Sequence, residues 1–182
     1  SKKPESKRYK FQKLFEAPHH LLICGASPDV PPITTIANQI GWKTTVIDHR
    51  ANSLNKTRFS DADYLTHVKT SKWPEFDLGK YDSAIIMSHQ YEKDREYLRY
   101  LLKSSIYYIG LLGPSKRRDK LLEECEVNFD TLQGRLFAPI GLDIGAGSPE
   151  EIALAIVSEI QAVRNKKNSQ SRIQFCFQDD NR

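Results

Sequence analysis

The sequence predicts an α/β domain built on a doubly wound parallel sheet, with helices on both faces. Short apolar runs, typical of strands buried on both sides, alternate with segments that repeat apolar residues every three to four positions. The glycine-rich and charged segments follow these runs, as expected of loops at the carboxyl edge of a parallel sheet. Together these observations indicate a Rossmann-like fold, in which ligands bind beyond the carboxyl ends of the strands.

The 182 residues suit one domain with short extensions. Residues 1–18 are polar, basic and aperiodic, which predicts a linker or leader, and we expect the sequence to be part of a longer chain. The domain itself is expected over residues 19–165. Residues 166–182 are expected to form a polar C-terminal tail, in which residues 172–177 are a candidate edge strand.

The first elements are marked by apolar patterning and by glycine. Residues 21–24 are continuously apolar, which predicts a strand that stops at Gly25. A helix ended by Gly41 follows, indicated by apolar residues at helical spacing: Ile33, Ile36, Ala37 and Ile40. Residues 43–47 predict a second strand, which closes on Asp48.

The same alternation continues to the end of the domain. Further strands are predicted at residues 63–66, 83–88, 106–109 and 135–138. A helix after the fourth strand is expected to bury one face, made of Tyr97, Leu98, Leu101 and Leu102, and residues 117–124 predict another helix.

The last helix has the strongest start signal. Ser148 is a good N-cap, Pro149 suits the first helical position, and Glu151 completes a capping box. The helix is expected to bury an apolar stripe made of Ile152, Ala155, Ile156, Ile160 and Val163.

Composition excludes several classes of protein. No stretch approaches the roughly 20 apolar residues of a membrane helix, and no signal peptide opens the sequence. The sequence has three cysteines that are far apart and lack metal-ligand spacing: Cys24, Cys125 and Cys176. This pattern favours a reducing, cytoplasmic location and no metal site. Cys24 is expected to act as a buried small hydrophobe. The net charge of +4 is modest and lies partly at the ends, which does not favour nucleic-acid binding.

The turn after the first strand, residues 25–30 (GASPDV), lies where dinucleotide folds carry G-x-G-x-x-G. Only Gly25 of the three glycines is present, and three prolines nearby lack the N–H groups that would cradle a phosphate. Asp29 brings a carboxylate to the same helix end, where it competes with a phosphate. The segment is therefore either an imperfect nucleotide site or a structural turn.

Two more strand ends carry polar side chains. Asp48 follows Gly25 by about 20 residues, the spacing at which an acid holds ribose hydroxyls, and Arg50 beside it is suited to a phosphate. The alternative for this pair is a surface ion pair. His89 closes the fourth strand and is a candidate for ligand contact or proton transfer, although a structural hydrogen-bonding role explains it equally well.

Two later loops carry the stronger signal. Residues 110–118 (GLLGPSKRR) combine two glycines, a helix start and three adjacent cations, which predicts an anion cradle; the alternative is a strand–helix turn with a solvated basic face. Residues 139–148 (PIGLDIGAGS) place three glycines before the capped helix, so the backbone is expected to pass close to a ligand or to the neighbouring loop. We expect both segments to converge over one crevice.

Taken together, these loops resemble the XdhC/CoxI family of xanthine dehydrogenase accessory proteins, specifically its C-terminal Rossmann domain. The resemblance covers roughly residues 19–165. It rests on residues 25–29, 46–50, 58–59, 87–89 with Asp94, 109–114 with Arg117, 138–145 and 148–153. Ser27 stands where the family usually has glycine.

The resemblance implies a non-catalytic accessory domain that binds molybdenum cofactor and helps to deliver it. The implied partner is a xanthine dehydrogenase or related molybdenum hydroxylase, and we expect a homo-oligomer. Two alternatives remain open: an NAD(P)-dependent oxidoreductase, for which His89 is the catalytic candidate, and a docking scaffold with a vestigial site. The expected ligand-binding residues are Gly25, Asp29, Asp48, Arg50, His89, Gly110, Gly113, Ser115, Lys116, Arg117, Arg118, Gly141, Asp143 and Gly145.

Overall fold

The computed structural model describes residues 17–132 and 134–166. Most of the expected leader and tail, including residues 172–177 and Cys176, lies outside the described residues. No helix in the described ranges is both long enough and apolar enough to cross a membrane.

Within the described residues, six parallel strands form one sheet in the order β3-β2-β1-β4-β5-β6. This is the strand order of the doubly wound Rossmann fold, so the fold class predicted from the sequence is confirmed. The order reverses between β1 and β4, which makes that pair the topological switch point. The strands are β1 (His20–Cys24), β2 (Lys43–Asp48), β3 (Tyr64–His67), β4 (Ser83–Ile86), β5 (Tyr108–Leu111) and β6 (Leu136–Phe137).

Four α-helices cover the sheet, two on each face. One face packs against the first and last helices, and the other packs against the two middle helices together with short 3-10 turns. The helices are α1 (Val30–Gln39), α2 (Tyr91–Leu102), α3 (Ser115–Glu124) and α4 (Pro149–Arg164).

Strand β1 shows why its apolar run does not alternate with polar residues. Leu21 and Ile23 face the cluster under α1 and α4, whereas Leu22 and Cys24 face the cluster under α2 and α3. All four side chains are fully buried because β1 lies inside the sheet with helices on both sides. Burial raises the pKa of the Cys24 thiol, and the nearby Asp94 adds to the effect.

Several element boundaries differ from the sequence-based expectation: β3 is shifted by one residue, β4 ends two residues earlier, and β6 is one residue shorter at each end. Two further differences have a visible cause. β5 begins at Tyr108, not at Ile106, because the Ile106 carbonyl accepts a hydrogen bond from Arg135 Nε (2.9 Å) and so stays outside the ladder. α3 begins at Ser115, two residues earlier than expected, because the Pro114 carbonyl accepts from the backbone N–H of Arg117 (2.9 Å).

The helix ends agree better with expectation. The capping box of α4 is confirmed: Ser148 Oγ accepts from the N–H of Glu151 at 3.2 Å, and Glu151 Oε2 accepts from the N–H of Ser148 at 2.9 Å. In α1, Gly41 does follow the helix end, but Ile40 was wrongly expected on the buried face. It is the C-cap residue and is 48% exposed, because the chain turns away there towards β2.

Candidate functional site

An open crevice of about 570 Å³ lies at the carboxyl edge of the sheet, where β1 and β4 lead to helices on opposite faces. Three loops line it: residues 26–29 after β1, then Arg50, Ser53 and Arg58 after β2, and residues 88–90 after β4. Open α/β sheets bind ligands at this switch point, and the volume is typical of a small-molecule site. The crevice is therefore the candidate functional site.

Two other depressions lie away from this edge. One of about 360 Å³ sits beside the ends of α2 and α3, around Cys125, and one of about 420 Å³ lies over β2 and β3, around Tyr64. Neither gathers the loops that follow β1 and β4, so we place the site at the switch point.

Gly25 is where the loops after β1 and β4 touch. Its backbone has a φ of +115°, and its N–H donates to the Ile47 carbonyl at 2.8 Å. A Cβ atom at this position would lie 2.4 Å from Ser88 Cα, well inside contact distance. The structure therefore needs glycine here for a crossing of two backbone segments.

Asp48 holds the glycine turn against the loop after β2. Its side chain is fully buried and accepts four hydrogen bonds: from the Ala26 N–H (2.8 Å) and from the N–H (2.8 Å), Nε (2.9 Å) and Nη2 (3.0 Å) of Arg50. Burial by itself would raise the pKa of Asp48, but these hydrogen bonds outweigh it and hold the pKa below its usual value. Asp48 is thus an ionised anchor beneath the crevice.

Asp29 and His89 form a hydrogen-bonded pair that joins the turns after β1 and β4. His89 Nε2 lies 2.9 Å from Asp29 Oδ2, and both residues line the crevice. His89 has a φ of +58°, in the left-handed region that few residues other than glycine adopt. This backbone conformation and the carboxylate together orient the imidazole. A catalytic role for His89 stays a prediction.

Ser27 is a residue that sequence reasoning missed as a site. It is only 4% exposed, it lines the crevice, and its Oγ has no hydrogen-bond partner among the described residues. A buried hydroxyl left unpaired costs about 1–3 kcal/mol, so such groups usually serve a ligand or an ordered water. In the sequence Ser27 was visible only as a missing glycine.

Arg58 was also missed, although it belonged to one of the matching stretches. Its guanidinium carbon lies 5.2 Å from the centroid of the Phe59 ring, and Phe59 is fully buried. Within the described ranges the Arg58 guanidinium has no carboxylate partner, and the side chain lines the crevice. No local sequence pattern indicates that residues 50 and 58 approach the same space.

The basic segment after β5 uses much of its charge inside the protein. Arg117 Nη2 donates to the buried Asp94 at 2.5 Å, and Arg118 donates from Nη1 to the Ala138 carbonyl at 2.8 Å and from Nε to Asp119 at 2.7 Å. Ser115 and Lys116, at the start of α3, are exposed.

Both glycines of this segment are explained by close packing. A Cβ atom on Gly110 would lie 2.1 Å from Ile140 Cδ1, and one on Gly113, which has a φ of +124°, would lie 3.0 Å from Arg117 Cδ. Gly110 and Gly113 therefore let the neighbouring loop and the Arg117 side chain approach the β5 turn.

The glycine-rich segment after β6 packs on α4. The N–H of Gly141 donates to Glu159 Oε2 at 3.0 Å, and a Cβ atom there would lie 3.3 Å from Ala155 Cβ. Gly145 has a φ of +74° with open space around it, and Asp143 is exposed.

The basic segment after β5 and the glycine-rich segment after β6 lie side by side, since the N–H of Ile140 donates to the Leu111 carbonyl at 3.2 Å. Neither contributes to the lining of the crevice between β1 and β4. The basic segment is connected to the crevice only indirectly within the described residues. Asp94, which Arg117 contacts, also accepts hydrogen bonds from the N–H (3.1 Å) and Oγ (2.5 Å) of Ser88, a residue of the crevice lining. Ligand contact by residues 110–118 and 141–145 stays a prediction.

The strand order defines a Rossmann-type domain, and the crevice lies at the edge where such folds bind ligands. More specifically, the chain belongs to the XdhC Rossmann domain family, whose model matches residues 21–160.

The relatives of this chain are consistent with that assignment. A probable xanthine dehydrogenase subunit of Bacillus subtilis (strain 168) is 32% identical over 157 residues, which are 86% of this chain and 46% of that protein. The uncharacterized protein YqeB of Escherichia coli (strain K12) is 31% identical over 151 residues, 80% of this chain and 27% of that protein.

The fold is also similar to a solved structure. The crystal structure of a xanthine dehydrogenase from Bacillus halodurans is 36% identical and has a TM-score of 0.74, covering 82% of this chain and 45% of that one. The chain therefore spans less than half the length of each of these proteins.

Proposed function

We propose that this domain is an accessory module that binds a phosphate-bearing small molecule in the switch-point crevice and serves a xanthine dehydrogenase or related molybdenum hydroxylase. The proposed ligand is molybdenum cofactor, carried as cargo for delivery. Membership of the XdhC family and the names of two relatives support the choice of partner.

One observation carries the proposal of a ligand in this crevice: Ser27 belongs to its lining, and the buried Ser27 hydroxyl lacks a hydrogen-bond partner in the described chain. Besides its dithiolene-bound molybdenum, the molybdenum cofactor carries a pterin and a terminal phosphate, and this crevice supplies a group suited to each of these two. Arg50 and Arg58 provide cations for the phosphate, and Ser27 provides a hydroxyl for a polar edge of the ring.

The remaining residues would orient the ligand. Asp48 holds Arg50 and the Ala26 N–H in place, so the lining is preorganised before binding. The Asp29–His89 pair lines the same crevice and offers an imidazole for a hydrogen bond. When bound, the cofactor would contribute its molybdenum chemistry to the client enzyme and not to a reaction of this domain.

The first test removes the unpaired hydroxyl. We expect Ser27→Ala to weaken binding of molybdenum cofactor by roughly threefold to tenfold, because one hydrogen bond to the ligand is lost. The free energy of unfolding should stay the same or rise slightly, since no protein contact is removed. Fluorescence of the oxidised pterin retained after gel filtration measures the first effect, and urea denaturation measures the second.

Thr44→Val is the matched control. Thr44 is also buried with an unpaired hydroxyl, but it lies on β2 and does not line the crevice. Its substitution should leave cofactor binding unchanged. Equal binding by wild type and Ser27→Ala would show that the crevice is not the site. Copurification with a molybdenum hydroxylase in the absence of cofactor would favour the docking-scaffold alternative.

A second candidate is an NAD(P)-dependent oxidoreductase. Arg50 closely follows the acid at the end of β2, where NADP-binding folds place an arginine for the 2′-phosphate. Under this hypothesis NADPH fluorescence should increase and shift to shorter wavelength on addition of the protein. No change at millimolar protein and cofactor would reject it.

A further inference from the structure

Two arginines that follow β2 belong to the lining of the crevice, and the first is rigidly held. Arg50 uses Nε and Nη2 to bind Asp48 at 2.9 and 3.0 Å, while the carboxylate is anchored by the Ala26 N–H at 2.8 Å. Arg50 Nη1 forms no hydrogen bond within the described residues, and 42% of the side chain is exposed. A fixed guanidinium with a free edge is preorganised to bind an oxyanion.

The second guanidinium supplies uncompensated charge. Asp48 neutralises Arg50, and Asp29 is engaged with His89, whereas Arg58 has no carboxylate partner in the described part of the chain. Ser27, whose buried hydroxyl has no partner within the described residues, belongs to the same lining. This third observation is independent of the charges and also points to a bound group.

The usual place for a phosphate in this fold, the first turn of α1, is poorly suited to one. Pro31 and Pro32 occupy that turn and have no N–H to donate. Asp29, the N-cap, adds a negative charge there. A diphosphate bridging that helix end would therefore meet a carboxylate and too few donors.

We propose that Arg50 and Arg58 form a clamp for a terminal phosphomonoester, placed at the end of β2 and not on the glycine turn. The inference rests on the proposed function and identifies which part of the ligand is held and where. A phosphomonoester carries about −1.5 to −2 charges at pH 7, more than each phosphate of a bridging diphosphate, so two guanidinium groups suit it. Both a pterin side-chain phosphate and a nucleotide 2′-phosphate have this chemistry.

The test compares ligands that differ only in the phosphomonoester. Isothermal titration of the whole chain would use dihydroneopterin monophosphate against dihydroneopterin, and 2′-phospho-ADP-ribose against ADP-ribose. In the pair that binds, we expect the phosphorylated member to bind at least about tenfold more tightly. Arg58→Ala should remove that preference and Arg58→Lys should restore part of it. The pair that binds distinguishes a pterin source from a nucleotide source.

Arg58 is the residue to change because Arg50→Ala would leave the buried Asp48 carboxylate without its cation and destabilise the fold. Lys56→Ala is the matched control: it removes the same charge from the same loop, at an exposed residue outside the lining. It should keep the preference for the phosphorylated ligand.

Three outcomes would overturn the clamp. Equal affinity of the wild type for both members of a pair would show that the crevice binds ligands without a phosphomonoester subsite, and the proposed function would survive. Loss of the preference in Lys116→Ala, with Arg58→Ala unaffected, would move the phosphate to the α3 loop. Binding of neither pair to the wild type would reject both the clamp and the proposed site.

Discussion

At the scale of single residues, Gly25 and Asp48 both sit where a dinucleotide fold contacts its cofactor, yet both have a structural role. Gly25 lets the loop after β1 pass against the Ser88 backbone. Asp48 accepts four hydrogen bonds from protein groups and is fully buried. A ribose could reach this carboxylate only by displacing part of that network.

Gly25→Ala tests the crossing of the two loops. We expect it to lower the free energy of unfolding by roughly 3 kcal/mol, because the new Cβ would clash with backbone atoms and the residue would be held at positive φ. Urea denaturation of the variant and the wild type measures the loss.

Gly41→Ala separates the cost of the backbone clash from the cost of positive φ. Gly41 has a φ of +80°, but a methyl group added there would meet nothing within 4 Å, so only the cost of positive φ, about 1 kcal/mol, should appear. If the two glycine variants are equally destabilised, the contact between the loops after β1 and β4 is not tight.

At the scale of elements, α4 shows how a local signal can also support distant structure. Its capping box holds the N–H groups of Gly147 and Ser148 on Glu151 Oε2, at 2.7 and 2.9 Å. Further along the helix, Glu159 Oε2 accepts from the N–H of Gly141 (3.0 Å) and from the Tyr108 hydroxyl (2.5 Å). One helix therefore fixes both ends of the glycine-rich segment after β6.

Ser148→Ala should destabilise the domain by about 1 kcal/mol, because the N–H of Glu151 loses its side-chain acceptor at the helix end. Ser158→Ala makes the same chemical change inside α4, where alanine is the better helix former, and should be neutral or slightly stabilising. Thermal unfolding compares the two. A similar loss in both would mean that the cap contributes nothing.

At the scale of the whole molecule, His19 joins several elements at the amino-terminal edge of the sheet. Its ring lies 4.4 Å from that of Trp42, and Nε2 is 2.8 Å from Ser83 Oγ. Burial lowers the pKa of His19 to about 4; Asp82 opposes this shift, while Arg164 and His20 add to it.

This pKa makes global stability depend on pH. The unfolded chain binds a proton at His19 near pH 6.5 and the folded chain only near pH 4, so stability falls as the pH drops through that interval. The expected loss is roughly 3 kcal/mol and is complete below pH 4. Urea denaturation between pH 7 and about pH 4 measures it.

His19→Gln should lower stability at neutral pH but flatten this dependence, because the titrating group is gone. His67→Gln, at an exposed position, is the control and should follow the wild-type curve. A slope that is equally steep in His19→Gln would assign the acid sensitivity to other groups, such as His49, whose pKa burial also lowers.

Much of the fold could be predicted because its signals are local. The apolar run of β1, the spacing in α1 and the capping box of α4 each depend on residues within a few positions of one another. The boundary of β5 could not be predicted, since it depends on a hydrogen bond from Arg135, 29 residues away from Ile106. The candidate crevice lies at the edge of the sheet where the sequence places the site, and Asp29, Arg50 and His89 line it.

The sequence by itself determined the order and type of the elements and the family, because periodicity and motif spacing survive without coordinates. Only the tertiary structure decided which charges remain available to a ligand. Arg117 and Arg118 looked free in the sequence but donate to Asp94 and to the Ala138 carbonyl, whereas Arg58 is left facing the crevice. Such pairings join residues far apart in the chain, and packing alone brings them within hydrogen-bond distance.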